Sequence, residues 1–242
     1  MDRLRELAVL VETFTLTHNE EIRLPWYLDA YSFADKITVF DNGSTDRTRE
    51  IAAADPRVEL RDWATDGLDD GAMRDLKNNC WKRSVADWVI VSDVDELLFH
   101  PNFPELLRTT TATVLRPAAA YTMISREIPA DYKSITRGDY APQYIKLYCF
   151  RPDSLDEIRF SCGAHEAQPS GDVIVGVIPE LICYHYHAIG VEETVRRYRE
   201  RSARMSANNR ARRWGWHYDQ DEATIRAFFD NIEALPEVRP YA

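Results

Sequence analysis

Cysteine is scarce in this chain. Cys80, Cys149, Cys162 and Cys183 are the four among 242 residues, and no two share a Cys-x-x-Cys spacing. That absence excludes a zinc knuckle or a dithiol redox motif, and the four are expected to be reduced, mostly buried thiols. Long apolar runs are also missing. None approaches the roughly 20 residues needed to cross a bilayer. Met1 to Glu6 carries charges of both signs and lacks the pattern of a secretory signal. The resulting expectation is a cytoplasmic protein with no transmembrane segment. Basic charge is in deficit: 30 Lys and Arg stand against 40 Asp and Glu, a formal net charge of -10. Phosphate backbones would be repelled by that balance, so no nucleic-acid partner is expected. Internal repeats and low-complexity linkers are lacking too. What is present is a globular composition, 45% hydrophobic and 29% charged. The length allows one sizeable α/β domain with an appended helical piece.

Strand and helix signals alternate through the first 95 or so residues. Ala8 to Leu16 reads as a buried strand, followed by the loop Thr17-His18-Asn19-Glu20 and a helix from Glu21 to Phe33, with Pro25 in its first turn. Lys36 to Phe40 is a second strand, ending in the turn and cap signal Asp41-Asn42-Gly43-Ser44-Thr45-Asp46. A helix over Thr48 to Ala54 and a strand over Val58 to Arg61 follow. Asp62 to Gly71 is acidic and reads as a mobile loop, and Met73 to Val85 as a helix. Trp88-Val89-Ile90-Val91 is a buried strand that runs into Ser92-Asp93-Val94-Asp95-Glu96. This order predicts a mostly parallel sheet covered by helices, with ligands outside the carboxyl ends of the strands. Three polar loops converge on that edge.

The second half has longer connections. Val114 to Ile124, Gln143 to Phe150, Arg159 to Cys162 and Leu181 to Tyr186 are strand-like. Val191 to Asn209 reads as one long helix, and Asp221 to Leu235 as a last one.

Asp93 and Asp95 alternate off the end of a buried strand, so they leave the sheet on one side. Two carboxylates so placed repel each other unless a cation or proton lies between them. Oxygen ligands suit magnesium or manganese, and substrate phosphates often complete such a shell. The alternative is a solvated acidic turn that caps the next element. His185 and His187 alternate with Tyr184 and Tyr186 and therefore share one face of a strand end.

Thr15-Leu16-Thr17-His18-Asn19-Glu20, Val39-Phe40-Asp41-Asn42-Gly43-Ser44-Thr45-Asp46, Lys77-Asn78-Asn79 and Asp93-Val94-Asp95 occur in the order seen in glycosyltransferase family 2. The chain resembles the GT-A fold of that family, in the branch carrying Asp-x-Asp-Glu. The likeness covers residues 8 to 96 best, with Gly163-Ala164-His165-Glu166 and Tyr184-His185-Tyr186-His187 as later points. It implies a three-layer α/β/α sandwich and a nucleotide-diphospho-sugar donor, UDP by family habit. It places Thr15, His18 and Glu20 beside the nucleotide and Asp41 on the base or ribose. Asn78 falls on the asparagine of an Ala-Arg-Asn triplet, with Lys77 replacing the arginine. Asp95 would ligate Mn2+ or Mg2+ directly, and Asp93 would reach the metal through water or contact the ribose. A late histidine adds a ligand in such enzymes, which points to His187 and then His185. An inverting transfer uses a carboxylate base, and the resemblance points to Glu166 and then Asp139.

The arginines of the long helix and its extension, Arg196 to Arg213, are either a solvated face or a basic surface for an anionic acceptor, nucleotide phosphates or the membrane surface. Trp214, Trp216 and His217 either stack on a sugar or dock the tail. The domain division expected is 1–190 for the catalytic domain, with 1–96 as its nucleotide half and 97–190 as its acceptor half, and 191–242 for a helical extension. The function expected is metal-dependent, inverting sugar transfer to a hydroxyl acceptor, a glycan among the candidates. The alternatives are a metal-dependent phosphohydrolase or nucleotidyltransferase, and a non-catalytic sugar-nucleotide or glycan binder.

Overall fold

The structure is a computed structural model and describes residues 9–238. The segment Met1 to Glu6 and the first residue of the predicted opening strand lie outside the described residues.

The first half is a run of strand–helix units: β1 (Val11–Thr17), α1 (Leu24–Ala30), β2 (Lys36–Asp41), α2 (Thr48–Ala54), β3 (Val58–Asp62), α3 (Asp70–Asn79) and β4 (Trp88–Val91). Strands β3, β2, β1 and β4 lie side by side, all parallel. Next come β5 (Glu96–Phe99), α4 (Phe103–Thr109), β6 (Val114–Ser125), β7 (Gly138–Tyr140), β8 (Cys149–Phe150), β9 (Leu155–Glu157), β10 (Ser170–Gly171) and β11 (Val175–Ile189). Strand β8 bridges β4 and β6, antiparallel to both, and β11 runs parallel to β6. The order β3-β2-β1-β4-β8-β6-β11-β5, with β7 beside β6, makes a mixed sheet among the described residues. The chain ends with α5 (Val191–Ala203), α6 (Ala207–Arg212) and α7 (Glu222–Ala227).

Alternation along the strands builds two cores. Val11, Ile37, Val39, Trp88 and Ile90 face α1 and α4, packing with Leu24, Tyr27 and Leu107. Phe14, Phe40, Val89 and Val91 face the other way, onto Trp81 and Leu76 of the α3 side. The result is the α/β sandwich expected, a mixed sheet with helices on both faces. Apolar area removed from water on both sides is the main stabilising term. All four cysteines are free, with Cys149 and Cys183 in the core. Among the described residues, no helix is long and apolar enough to cross a membrane.

Several predicted elements differ in extent. The segment from Asp62 to Gly71 is pinned rather than loose. Leu68 pairs with Met205: its N–H donates to the Arg204 carbonyl at 2.7 Å, and its carbonyl accepts from the Ser206 N–H at 2.9 Å. Those two bonds are also why the long helix stops at Ala203 and restarts as α6, since the backbone of residues 204–206 serves the loop instead of a helix. Gly67 sits at φ +75 with a Cβ position only 1.9 Å from the Arg204 carbonyl oxygen, so no other residue fits this junction without displacing it. Arg159 to Cys162 does not form a strand, because Arg159 and Gly163 take positive φ and turn the chain. Only Cys149–Phe150 of the predicted Gln143–Phe150 strand pairs, the Pro142–Tyr144 stretch being a tight turn. Helix α7 ends at Ala227, short of the predicted Leu235.

Candidate functional site

The carboxyl ends of β1, β2 and β4 open on a cavity of about 220 Å³, closed over by α5 and by the loop between β3 and α3. That is room for a ligand group, since a single water needs only about 10–15 Å³ on the same measure.

Two loops make the first wall and hold each other. Asn19, at φ 54, accepts from the Thr45 N–H at 2.7 Å, and the Glu20 N–H donates to Thr48 Oγ1 at 2.7 Å. His18 reaches the Asn42 carbonyl with Nδ1 at 2.8 Å and Glu200 of α5 with Nε2 at 3.1 Å. His18, Glu20 and Asn42 line the cavity. Thr15 and Asp41 do not. Thr15 is buried in β1, and Asp41 is enclosed by the Ser44 N–H at 3.2 Å and Arg49 at 2.7 Å. Asn78 also stands away from the cavity. It grips the Phe160 backbone in both directions, accepting at 2.7 Å and donating at 3.3 Å. Its neighbour Lys77 is the cavity residue, with Nζ 2.6 Å from Asp93.

Asp93 and Asp95 both line the cavity, but different partners hold them. Burial opposes the Asp93 charge, yet Lys77 and then Lys146 outweigh it and keep the carboxyl below its ordinary range. The same contest holds Lys77 above its usual value, with Asp93 and Glu96 overcoming burial. Burial opposes the Asp95 charge as well, but the neighbouring Arg197 and His185 outweigh it and hold the carboxyl well below the usual carboxylate range. Lys146, buried, pairs with Glu96 at 2.5 Å and donates to the Gly163 carbonyl at 3.2 Å.

Sheet register brings the histidines to Asp95. Strand β11 runs antiparallel to β5 with His185 opposite Glu96, and the Tyr186 N–H donates to the Asp95 carbonyl at 2.8 Å. His185 and His187 share a face, as the alternation predicted, with ring centroids 5.1 Å apart. Ligand atoms of Asp95, His185 and His187 lie within 4.8 Å of one another. Asp93 is outside that group. Tyr144 covers the His185 ring at 4.0 Å, and the Tyr198 hydroxyl holds His187 Nε2 at 2.7 Å. Burial, then the nearby His185 and Arg197, push His187 well below its ordinary value, so it is neutral and able to coordinate at neutral pH. His185 Nδ1 is buried with no hydrogen-bond partner. A carboxylate and two imidazoles, one of them with an unpartnered ring nitrogen, fit a first-row divalent ion.

Helix α5 supplies the opposite wall. Arg197, Arg201 and Arg204, at helical spacing, turn to the cavity. Arg197 reaches Glu20 at 2.5 Å, Arg201 donates to the Tyr218 hydroxyl at 2.9 Å, and Arg204 meets Asn42 Oδ1 at 2.5 Å. Four others are engaged elsewhere: Arg196 with Glu193 and Glu200, Arg199 with Glu222, Arg210 with the Ser202 carbonyl, Arg212 over Trp214. Most of the basic stretch therefore splits between the cavity and local pairs. His217 and Tyr218 join the lining, while Trp216 is 63% exposed.

Neither predicted base is on the cavity. Glu166 is exposed in a turn closed by its backbone with Ser161, and Asp139 is exposed on β7 opposite Thr122. The lining instead includes Asp70, the first residue of α3. Its N–H donates to Asn209 Oδ1 at 2.9 Å, and its carboxylate accepts from Asn209 Nδ2 at 3.1 Å. Burial pushes the Asp70 carboxyl above its ordinary value. Most other lining carboxylates face a basic side chain, and Asp69 is consumed as the α3 cap, bound also by Ser206 and Asn208. Asp70 and Lys146 were not singled out from the sequence, whereas the arginine face was, and the cavity takes Arg197, Arg201 and Arg204 from it. The signal for these three was their spacing on one helical face.

No family model matches the chain, and no curated protein matches it. Among solved structures, S. aureus TarS 1-349 is similar at 16% identity over 93% of this chain and 71% of that one, with a TM-score of 0.45. The same protein in complex with UDP gives 15% identity over 92% and 71%, again with a TM-score of 0.45. The 4-diphosphocytidyl-2C-methyl-D-erythritolsynthase from Anaerococcus prevotii gives 10% identity over 92% and 97%, with a TM-score of 0.36. At such identity and overlap, the chemistry of the cavity has to speak for the function.

Proposed function

We propose that this protein transfers a sugar from a nucleotide-diphospho-sugar to a hydroxyl acceptor, with inversion at the anomeric carbon. The observation that carries the reading is the meeting of a metal-ligand triad, Asp95, His185 and His187, with inward-facing Lys77, Arg197 and Arg201 at a sheet's carboxyl edge. Acid ligands for a cation beside fixed cations are what a bound diphosphate needs on its two sides. When bound, a divalent ion would supply charge stabilisation to the departing diphosphate. UDP is the default nucleotide of the family that the sequence resembles.

The residues divide the work by position. His18 and Asn42 border the nucleotide side, fastened to each other and to α5. Lys77 and the arginines neutralise phosphate oxygens. Asp93, paired with Lys77, orients that ammonium and is available to the ribose. Asp70 accepts the acceptor's hydroxyl proton as the oxygen attacks the anomeric carbon. The carbon–oxygen bond to the diphosphate breaks, and the nucleoside diphosphate leaves with the electron pair. Asn209 holds Asp70 in place, and burial gives the carboxylate the raised basicity that proton removal requires. In this reading residues 1–190 are the catalytic fold, and the segment from 191 onward supplies the phosphate-side wall.

A thermal-shift panel of UDP-, GDP- and ADP-sugars, with and without manganese, tests the assignment, since a ligand that binds only the native state raises its stability by mass action. We expect one nucleotide series to raise the Tm by several degrees in the presence of manganese, with nucleoside diphosphate as the product on turnover. Release of pyrophosphate or free phosphate as the first product would favour a nucleotidyltransferase or phosphohydrolase instead.

A further inference from the structure

We propose that Arg197 is an exchange cation. It neutralises Asp95 while the triad holds no ion, and it turns to the phosphate oxygens of a nucleoside diphosphate once a divalent ion takes that carboxylate. The divalent ion and the diphosphate therefore bind cooperatively. This rests on the donor site proposed above and adds to it a mechanism for ordering its two ligands.

The geometry around this side chain is unusual. Arg197 is 4% exposed, and one end of its guanidinium is gripped firmly, with Nη2 2.5 Å from Glu20 Oε1. The other end faces Asp95. Nη1 forms an ion pair with Asp95 Oδ2 at 2.8 Å, and Nε is buried with no acceptor. A buried cation with an unmatched N–H group is costly unless an anionic acceptor meets it. The rigid planar fork suits two-point contact with phosphate, and this one stands on the cavity wall.

Charge balance makes the two ligands dependent on each other. Around Arg197 stand two further guanidiniums: Arg23, paired with Glu193 at 3.3 Å and 3.7 Å from Glu20, and Arg201, 3.5 Å from Glu20. A divalent ion on Asp95 would remove the carboxylate from Arg197 and set two positive groups side by side. A diphosphate arriving alone would meet the charged carboxylates of Asp95 and Glu20. Either ligand by itself is opposed. Together, the ion covers Asp95 and the phosphate oxygens cover Arg197. Glu20 keeps the guanidinium in place throughout, so the exchange needs only a turn of its other edge.

The test measures binding, with no sugar transfer involved. Manganese affinity is followed by the electron paramagnetic resonance of the free ion, with and without UDP, and with GDP and ADP in parallel. In the unmodified protein we expect the cognate nucleoside diphosphate to tighten manganese binding by roughly tenfold or more. In Arg197→Gln, manganese alone should bind several-fold tighter, because the competing cation is gone. Its affinity for the nucleoside diphosphate should fall by about tenfold or more, and the coupling should shrink toward one. If Arg197→Gln does not fold, Arg197→Lys decides: it keeps the buried charge, but its single ammonium cannot span Glu20 and a phosphate, so coupling should drop several-fold. Overturning results are a protein without coupling, an Arg197→Gln protein whose manganese affinity is weakened or unchanged, or an Arg197→Lys protein with full coupling. The outcomes separate from those for the transferase reading. Coupling without any sugar transfer would leave the exchange standing, and sugar transfer with an indifferent Arg197 would remove the exchange alone.

Discussion

Asp95→Asn should abolish manganese binding at the triad and lower sugar transfer by about a thousandfold or more, because transition-state charge stabilisation worth several kcal/mol is lost with the ion. The variant also tests the fold's electrostatics. Asp95 is 5% exposed and shared by Arg197 and His185, so its replacement leaves a buried guanidinium with one carboxylate partner instead of two. Breaking a buried pair of this kind costs about 3 kcal/mol. The sign of its pH dependence follows from the depressed carboxyl. The stabilisation from Asp95 is fully present above the ordinary carboxylate range, near pH 4, and is lost as pH falls through the lower native value. Urea melts of the two proteins should therefore differ at neutral pH and converge in strong acid. Equal stability at neutral pH, with manganese still bound, would remove Asp95 from both roles.

Asp70→Asn should reduce transfer by roughly 10² to 10⁴-fold while leaving nucleotide binding within about twofold, the signature of a lost general base. The amide keeps the contact with Asn209, so the cavity wall stands. Here the stability effect has the opposite sign to that of Asp95. The native carboxyl is raised by burial, with the Asn209 hydrogen bond and Lys77 opposing and Asp93 and Asp69 adding to the shift. Its contribution to stability is complete at low pH and is lost as pH rises through that raised value. Asp70→Asn should thus be at least as stable as the parent at neutral pH, and slower. In the parent, transfer should rise with pH through the Asp70 ionisation, and this limb should vanish in the variant. Glu166→Ala and Asp139→Ala serve as companions, both expected to transfer normally. Loss in either one, with Asp70→Asn active, would move the base to that residue.

The residues that could be read from the sequence are those whose meaning is local. Strands β1, β2 and β4 announce themselves by short apolar runs, and the polar loops after them sit at the carboxyl edge whatever the distant chain does. Asp93 and Asp95 were placed at that edge by strand order alone, and His185 and His187 on one face by alternation. The pairing that puts those histidines against Asp95 was not readable, because it depends on the register of β11 with β5, set by residues some 90 positions apart. Arg197 illustrates a second limit. Its neighbours Val195 and Tyr198 mark the apolar face of α5, which packs against Ile225 of α7. Nothing in the local pattern says that the adjacent arginine stripe meets a cavity instead of water. The break after Ala203 has the same origin. Helical periodicity runs on past it, but Leu68 takes the backbone of residues 204–206 as a partner. That contact also turns an acidic stretch that reads as loose into the wall from which Asp70 projects.

The most direct measurement is anomalous diffraction from crystals grown with manganese and UDP. One strong manganese peak is expected about 2.0–2.3 Å from a carboxylate oxygen of Asp95 and ring nitrogens of His185 and His187, with the diphosphate reaching from the ion to Arg197. A peak bound to other side chains, or a diphosphate seated away from the ion and the arginines, would contradict the proposed site.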